Sequence, residues 1–278
     1  MQGVSIAHAV RGAGRPVLLI HGWQGDHRYM QADVDAVFEA AGGWRRIYLD
    51  LPGHGQTAAS TELRSQGQVM SLLTGVVDAL FPGQPFAVAG SSYGGYLTLG
   101  LVRSMPERLL GAALLVPDLP TPDGTRTAPA HVTLRRDSAA FSDLEPDEEW
   151  IPDRLVDQSR RALEQIRDDD IPAMRIADHA FLERLAADYQ LPGELLAAGP
   201  PFDRPSVILT GRQDALAGYE AAWSLLPEFP RATFATLDLA GHWLGRVERP
   251  APFRALLADW IDRMSIDASG SDAGDGPP

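Results

Sequence analysis

A chain of 278 residues, 45% hydrophobic and 22% charged, has room for one large domain or two small ones with a substantial core. It contains no cysteine, which excludes a disulfide scaffold, a thiolate nucleophile, iron–sulfur clusters and sulfur-ligated zinc. All 24 basic residues are arginine and the net charge is −13, which excludes a Schiff-base lysine and a P-loop and disfavours nucleic acid and anionic lipid as partners.

Met1 to Arg11 lacks a basic leader followed by an apolar stretch, so no secretory signal is expected. The strongest apolar run, Leu109 to Pro117, falls short of the ~18 residues a membrane helix requires. The expectation is a soluble, cytoplasmic protein.

Along the first half, short apolar runs alternate with amphipathic stretches. Val17 to Ile20, Ile47 to Leu49, Phe86 to Ala89 and Ala112 to Val116 read as buried strands. Between them, Met30 to Ala41 and Val69 to Phe81 repeat their apolar residues at helical spacing. Strands buried on both faces and separated by helices predict a parallel sheet of right-handed βαβ units. The pattern stops at Pro117. Residues 118–203 contain helix-like stretches such as Ala177 to Ala187, no strand run, and 19 acidic residues against 9 arginines. It resumes at Ser206 to Leu209 and Ala232 to Leu239, then closes with a helix from about Pro252 to Met264. The organisation predicted is a core of residues 1–117 and 204–264, a helical insertion at 118–203, and a disordered tail at 265–278. Neither an internal repeat nor a heptad seam is visible.

The chemistry concentrates in Gly90-Ser91-Ser92-Tyr93-Gly94, a G-x-S-x-G between a strand run and the amphipathic stretch Tyr96 to Met105. A serine on a sharp strand-to-helix turn needs neighbours without side chains at −2 and +2, and Ser92, not Ser91, has them. Such a serine requires a base held by an acid, in the chain order nucleophile, acid, histidine. His242 directly follows the last strand run, and Asp214 directly follows the one before it. Both lie at the C-terminal edge of a parallel sheet, where ligands bind. Their separation of 28 residues suits one strand–helix–strand passage. An oxyanion would take the backbone N–H of Tyr93 and of Trp23, the latter on the loop after the first buried strand. His21, on the same loop, is expected to fix it by hydrogen bonding.

Leu19-Ile20-His21-Gly22, Asp50-Leu51-Pro52-Gly53-His54-Gly55, Gly90 to Gly95, Gly211 to Asp214 and Gly241-His242-Trp243 together resemble the α/β-hydrolase superfamily. The resemblance spans about residues 5–264 and implies a mostly parallel, eight-stranded sheet, a Ser-His-Asp hydrolase and a cap formed by 118–203. Ser92 stands where the haloalkane dehalogenase and epoxide hydrolase branches need Asp. Gly241-His242-Trp243 looks like the branch that hydrolyses carbon–carbon bonds, although the Pro usual after that branch's acid is missing from Ala215 to Tyr219. Asp118, where some members keep their acid, is the reserve.

Asp168-Asp169-Asp170 reads as a solvated turn, and His8, His27, His54, His131 and His179 show no ligand spacing, so no metal is expected. No G-x-G-x-x-G occurs, so no dinucleotide cofactor is expected either. The partner implied is a small acyl substrate, neither nucleic acid nor membrane, with the oligomeric state open. The function expected is cofactor-independent hydrolysis of an apolar ester or lactone. The alternatives are carbon–carbon bond hydrolysis or natural-product tailoring on the same triad, and a ligand-binding protein that has lost turnover. Trp150 and Tyr189 either face the site or anchor the cap. The acidic insertion should disfavour anionic substrates unless an arginine such as Arg135 or Arg175 points inward.

Overall fold

Alternation with period two sends successive strand side chains to opposite faces of a sheet, and here both faces are covered. The computed structural model describes residues 4–120 and 127–272. Its first part runs β1 (His8–Arg11), β2 (Arg15–Ile20), α1 (His27–Ala41), β3 (Trp44–Leu49), α2 (Gln66–Leu80), β4 (Phe86–Ser91), α3 (Tyr93–Ser104) and β5 (Leu109–Leu115). The insertion contributes the two-residue strands β6 (Arg135–Arg136) and β7 (Asp157–Gln158) and the helices α4 (Arg160–Ile176), α5 (His179–Ala186) and α6 (Gly193–Leu196). The chain returns through β8 (Ser206–Gly211), α7 (Glu220–Trp223) and β9 (Ala232–Leu237), and ends in α8 (Pro250–Asp272).

The main sheet has the order β1-β3-β2-β4-β5-β8-β9, parallel except for β1. Leu18, Val88, Leu114 and Ile208 face α2 and α3, whereas Val17, Ala89, Leu115 and Leu209 face α1 and α8. The sheet numbers seven strands among the described residues, not the eight implied by the resemblance. Ahead of β1, Ala7 bonds instead to the loop after β3: its N–H donates to Thr57 Oγ1 and its carbonyl accepts from Asp50 N–H. The antiparallel edge strand β1 escaped the sequence reading because its side chains are mostly exposed and carry no apolar alternation.

The terminal helix also runs further than its composition suggests. Residues 265–272 continue α8, where disorder was expected from Ser265 onward; 273–278 lie outside the described residues. Arg15 donates to Met264 O and Ser265 Oγ, and Arg231 pairs with Asp267 at 2.7 Å. No helix among the described residues is long and apolar enough to cross a membrane.

The insertion has its own small core of Ile151, Leu155, Leu163 and Ile166, which takes in Val247 from a π-helical turn, Leu244–Glu248, just past the last strand. That turn also carries Arg246, buried among carboxylates from two helices: Asp33 of α1 at 3.4 Å, and Asp169 and Asp170 of α4 at 2.9 and 2.5 Å. The expected solvated turn at Asp168–Asp170 is therefore corrected. These residues lie inside α4, and two of them are drawn inward because a buried guanidinium requires anionic partners. Burial opposes the charge of Arg246, but Asp170 and Asp33 hold it well above its ordinary pKa. Arg246→Met would leave buried carboxylates without a counter-charge, at an expected cost of about 3–5 kcal/mol. Urea unfolding at pH 7 measures this; a midpoint equal to that of the parent would contradict the ion cluster as the insertion's anchor.

Candidate active site

Ser92 joins β4 to α3 with φ 55° and ψ −118°, a left-handed conformation that a non-glycine residue adopts only under constraint. Its neighbours explain how it fits. A Cβ at Gly90 would stand 2.0 Å from Gly94 O, and one at Gly94 would stand 2.1 Å from Ile20 O. The main chain is pinned on both sides, with Ser92 N–H on Leu115 O and Ser92 O accepting from Tyr96 and Asp118 N–H. Ser91, by contrast, is buried at the end of β4, with its hydroxyl 3.4 Å from Tyr29 OH.

The turn delivers Ser92 Oγ to within 2.8 Å of His242 Nε2, and His242 Nδ1 lies 2.8 Å from Asp214 Oδ2. Asp214 is fully buried, and its other oxygen accepts from Leu216 and Ala217 N–H at 2.9 and 3.0 Å. Both oxygens being occupied, the carboxylate cannot rotate away from the imidazole. Burial opposes protonation of His242, yet the charge and hydrogen bond of Asp214 prevail and hold its pKa above the ordinary value. Asp118 is in the cavity too, but its Oδ2 accepts from Tyr189 OH at 2.7 Å.

Tyr93 opens α3, so its N–H has no partner within the helix, while its side-chain hydroxyl is committed to Gln66 Oε1 at 2.6 Å. Trp23 lies beside it, ring centroids 5.0 Å apart, and both Trp23 and Ser92 line the cavity. His21 spends both ring nitrogens on the backbone: Nδ1 is 2.7 Å from Gly22 O, and Nε2 accepts from Leu51 N–H at 3.0 Å. It fixes the loop.

Above Ser92 lies a cavity of about 690 Å³. Trp23, Tyr29, Trp150, Tyr189 and Trp243 give it aromatic walls, and Trp150 packs on Trp243 at 5.4 Å. Trp150 and Tyr189 thus both face the site. Arg135 and Arg175 do not line it, being paired with Asp157 and Asp147; among the described residues the arginine that does is Arg154. Tyr29, Arg154, Asp170 and Met174 were missed in the sequence, since nothing local marks a residue whose role depends on which helix roofs the sheet. Asp26, His27 and Asp50 converge within 4.8 Å, a meeting no spacing reveals. Asp26 grips Arg28, and Asp50 accepts from His27 and from Gln56 N–H, so these groups brace the loop.

A family model described as alpha/beta hydrolase fold matches residues 15–245. The chain is 26% identical to the 2-hydroxymuconate semialdehyde hydrolase of Pseudomonas sp. strain CF600, over 90% of this chain and 88% of that protein. It is 31% identical to a dihydrolipoyllysine-residue acetyltransferase component of the acetoin cleaving system of Cupriavidus necator, but over 42% of this chain and 30% of that protein's length. An alpha/beta superfamily hydrolase from Oenococcus oeni PSU-1 superimposes with a TM-score of 0.83 at 23% identity, covering 94% of this chain and 96% of that one.

Burial lowers the pKa of His21 from 6.5 to about 4 and that of His54 to about 3. Both protonate in the unfolded chain below pH 6.5 while the folded chain keeps them neutral, so stability falls as pH drops from 6.5 toward 4. Urea midpoints across that range should decline steadily. His54→Gln, though less stable at neutral pH, should decline less steeply; an equal slope would show that other groups govern acid unfolding.

Proposed function

We infer that this chain, which belongs to the alpha/beta hydrolase fold family, is a serine hydrolase of a small or medium, largely apolar ester or lactone. The observation that carries the reading is the continuous chain Ser92 Oγ–His242–Asp214, both links 2.8 Å, on the floor of an aromatic cavity. Ser92 Oγ attacks the carbonyl carbon while His242 Nε2 takes its proton. The oxyanion is met by the N–H groups of Trp23 and Tyr93 at the positive end of α3. His242 returns the proton to the leaving alcohol, then activates water to release the acid from Ser92. Asp214 holds the imidazole in the productive tautomer and stabilises its cation. The insertion serves as the cap that selects the acyl group.

A second reading, hydrolysis of a carbon–carbon bond next to a carbonyl, is favoured by the full-length likeness to the 2-hydroxymuconate semialdehyde hydrolase and by Trp243 lining the cavity beside His242. Turnover of esters and vinylogous diketones side by side separates the two. Burst release of a chromogenic alcohol separates an enzyme from a binding protein on the same fold.

A fluorophosphonate should label the parent and Ser91→Ala but not Ser92→Ala; labelling that survives Ser92→Ala would move the nucleophile elsewhere. Asp214→Asn should lower kcat on the order of 10⁴-fold, with Asp118→Asn far milder. The reverse ranking would transfer the acid role to Asp118. The cavity presents Asp118 and an Asp170 neutralised by Arg246, against one arginine, Arg154. A neutral ester should therefore exceed its ω-carboxylate analogue in kcat/KM, with a gap that narrows as salt rises. Preference for the anion would instead assign Arg154 as its partner, to be checked with Arg154→Ala.

A further inference from the structure

The π-helical turn after His242 ends in Glu248, which is buried, and among the described residues no cation pairs with its carboxylate. Its partners are main-chain N–H groups from two separate parts of the chain. Oε2 accepts from Gly241 N–H, the residue before His242. Glu248 N–H donates to the carbonyl of Trp243, the residue after His242, at 3.1 Å. That second bond belongs to the π-helical main chain and is independent of the side chain; the carboxylate itself holds Gly241. Oε1 meanwhile accepts from Val156 N–H at 2.8 Å and Asp157 N–H at 3.3 Å, at the start of β7 in the insertion. Val156 O in turn accepts from Leu134 and Arg135 N–H, which carries the connection to β6.

We propose that Glu248 is a positioning residue for the reaction: one carboxylate oxygen clamps Gly241, next to His242, and the other locks the insertion against the same turn. The proposal rests on the serine-hydrolase reading for its kinetic consequences, but not for its geometry. Glu248 is not a proton donor or acceptor in the chemistry, since His242 and Asp214 complete that chain without it.

Charge makes the clamp conditional. Burial pushes the Glu248 carboxyl up to about 7, with the three N–H donors acting in the opposite direction and Asp214 adding to the rise. The other charged groups around it are His242 on its own loop, Asp157 (bound to Arg135) in the insertion, and Arg161 of α4. Arg161 donates to the carbonyls of Arg246 and Val247. The ionised carboxylate also helps to raise the pKa of His242. When Glu248 takes up a proton, one oxygen becomes a hydroxyl donor facing an N–H donor, and one arm of the clamp opens.

Glu248→Gln is nearly isosteric, removes the charge and sets an NH₂ against one set of donors. With p-nitrophenyl acetate, kcat should fall on the order of 10- to 100-fold with little change in KM, as expected when a reacting group is misaligned. The acid limb of log(kcat/KM) should be steeper than one in the parent over the roughly one to two pH units in which Glu248 titrates together with His242. It should have a slope of one in Glu248→Gln, displaced to lower pH. Proton NMR of the low-field His242 Nδ1–H signal supplies a readout that needs no substrate: in the variant the signal should broaden and titrate at lower pH. Thermal melting verifies folding, and if Glu248→Gln does not fold, Glu248→Asp, which keeps the charge but shortens the reach, should show the same kcat loss. A parent that neither turns over esters nor labels at Ser92 would sink the hydrolase reading, while the NMR comparison would still decide the clamp. A folded Glu248→Gln with unchanged kcat, slope and His242 titration would overturn the proposal.

Discussion

The left-handed turn at Ser92 is the constraint on which the rest of the molecule depends. A serine at φ 55° costs on the order of 1–3 kcal/mol and persists only where its surroundings leave no alternative. Here the surroundings are the sheet itself. Leu115 of β5 accepts the Ser92 N–H, the Gly94 backbone presses on the end of β2, and Gly90 lies under the first turn of α3. Relaxing the turn would part three parallel strands from their helix. The placement of the half-buried hydroxyl is therefore a by-product of packing that must be tight for structural reasons, which is why it can be held without a side-chain bond other than that to His242.

The second organising element is the turn from Gly241 to Glu248. It carries the imidazole at one end and, within a few residues, two buried charged groups that grip the insertion by opposite means. Arg246 reaches carboxylates on α1 and α4, and Glu248 reaches main-chain N–H groups ahead of α4. Trp243 adds a third contact, with its indole N–H on Asp170 Oδ1 at 2.9 Å. An insertion with a net charge of −10 is thus anchored partly by its own acidic residues. Such charges in a low-dielectric setting are poor sources of net stability, yet removing one partner leaves the others buried without compensation. The turn that carries His242 therefore also carries the contacts that anchor the insertion over the cavity.

The arrangement of donors and acceptors supports acyl chemistry more directly than it supports any particular acyl group. Among the described residues the cavity's aromatic and cationic lining is shared equally between the insertion (Trp150, Arg154, Tyr189) and the core (Trp23, Tyr29, Trp243). Fold alone does not decide among the hydrolytic reactions this architecture accommodates.

The parallel core, the insertion and the three side chains that meet at the elbow are legible in the chain without its fold. Each leaves a local signature: continuous apolar runs, a break in their alternation, and small or polar residues immediately after a strand. Ser92, Asp214 and His242 are 150 residues apart at the extremes, yet each follows the C-terminal end of a parallel strand, and parallel strands bring such ends to one edge. The strand count, the helical continuation to Asp272 and the inward pairing of Asp169 and Asp170 emerge only once the chain is folded. β1 is exposed and pairs through its main chain, which no side-chain pattern records. Ser265 and Asp267 are held by Arg15 and Arg231 from elsewhere in the chain. Asp170 and Glu248 look like ordinary surface acids until a distant guanidinium or a set of N–H groups folds over them, because burial of a charge is a property of its neighbours in space and not of its neighbours in sequence.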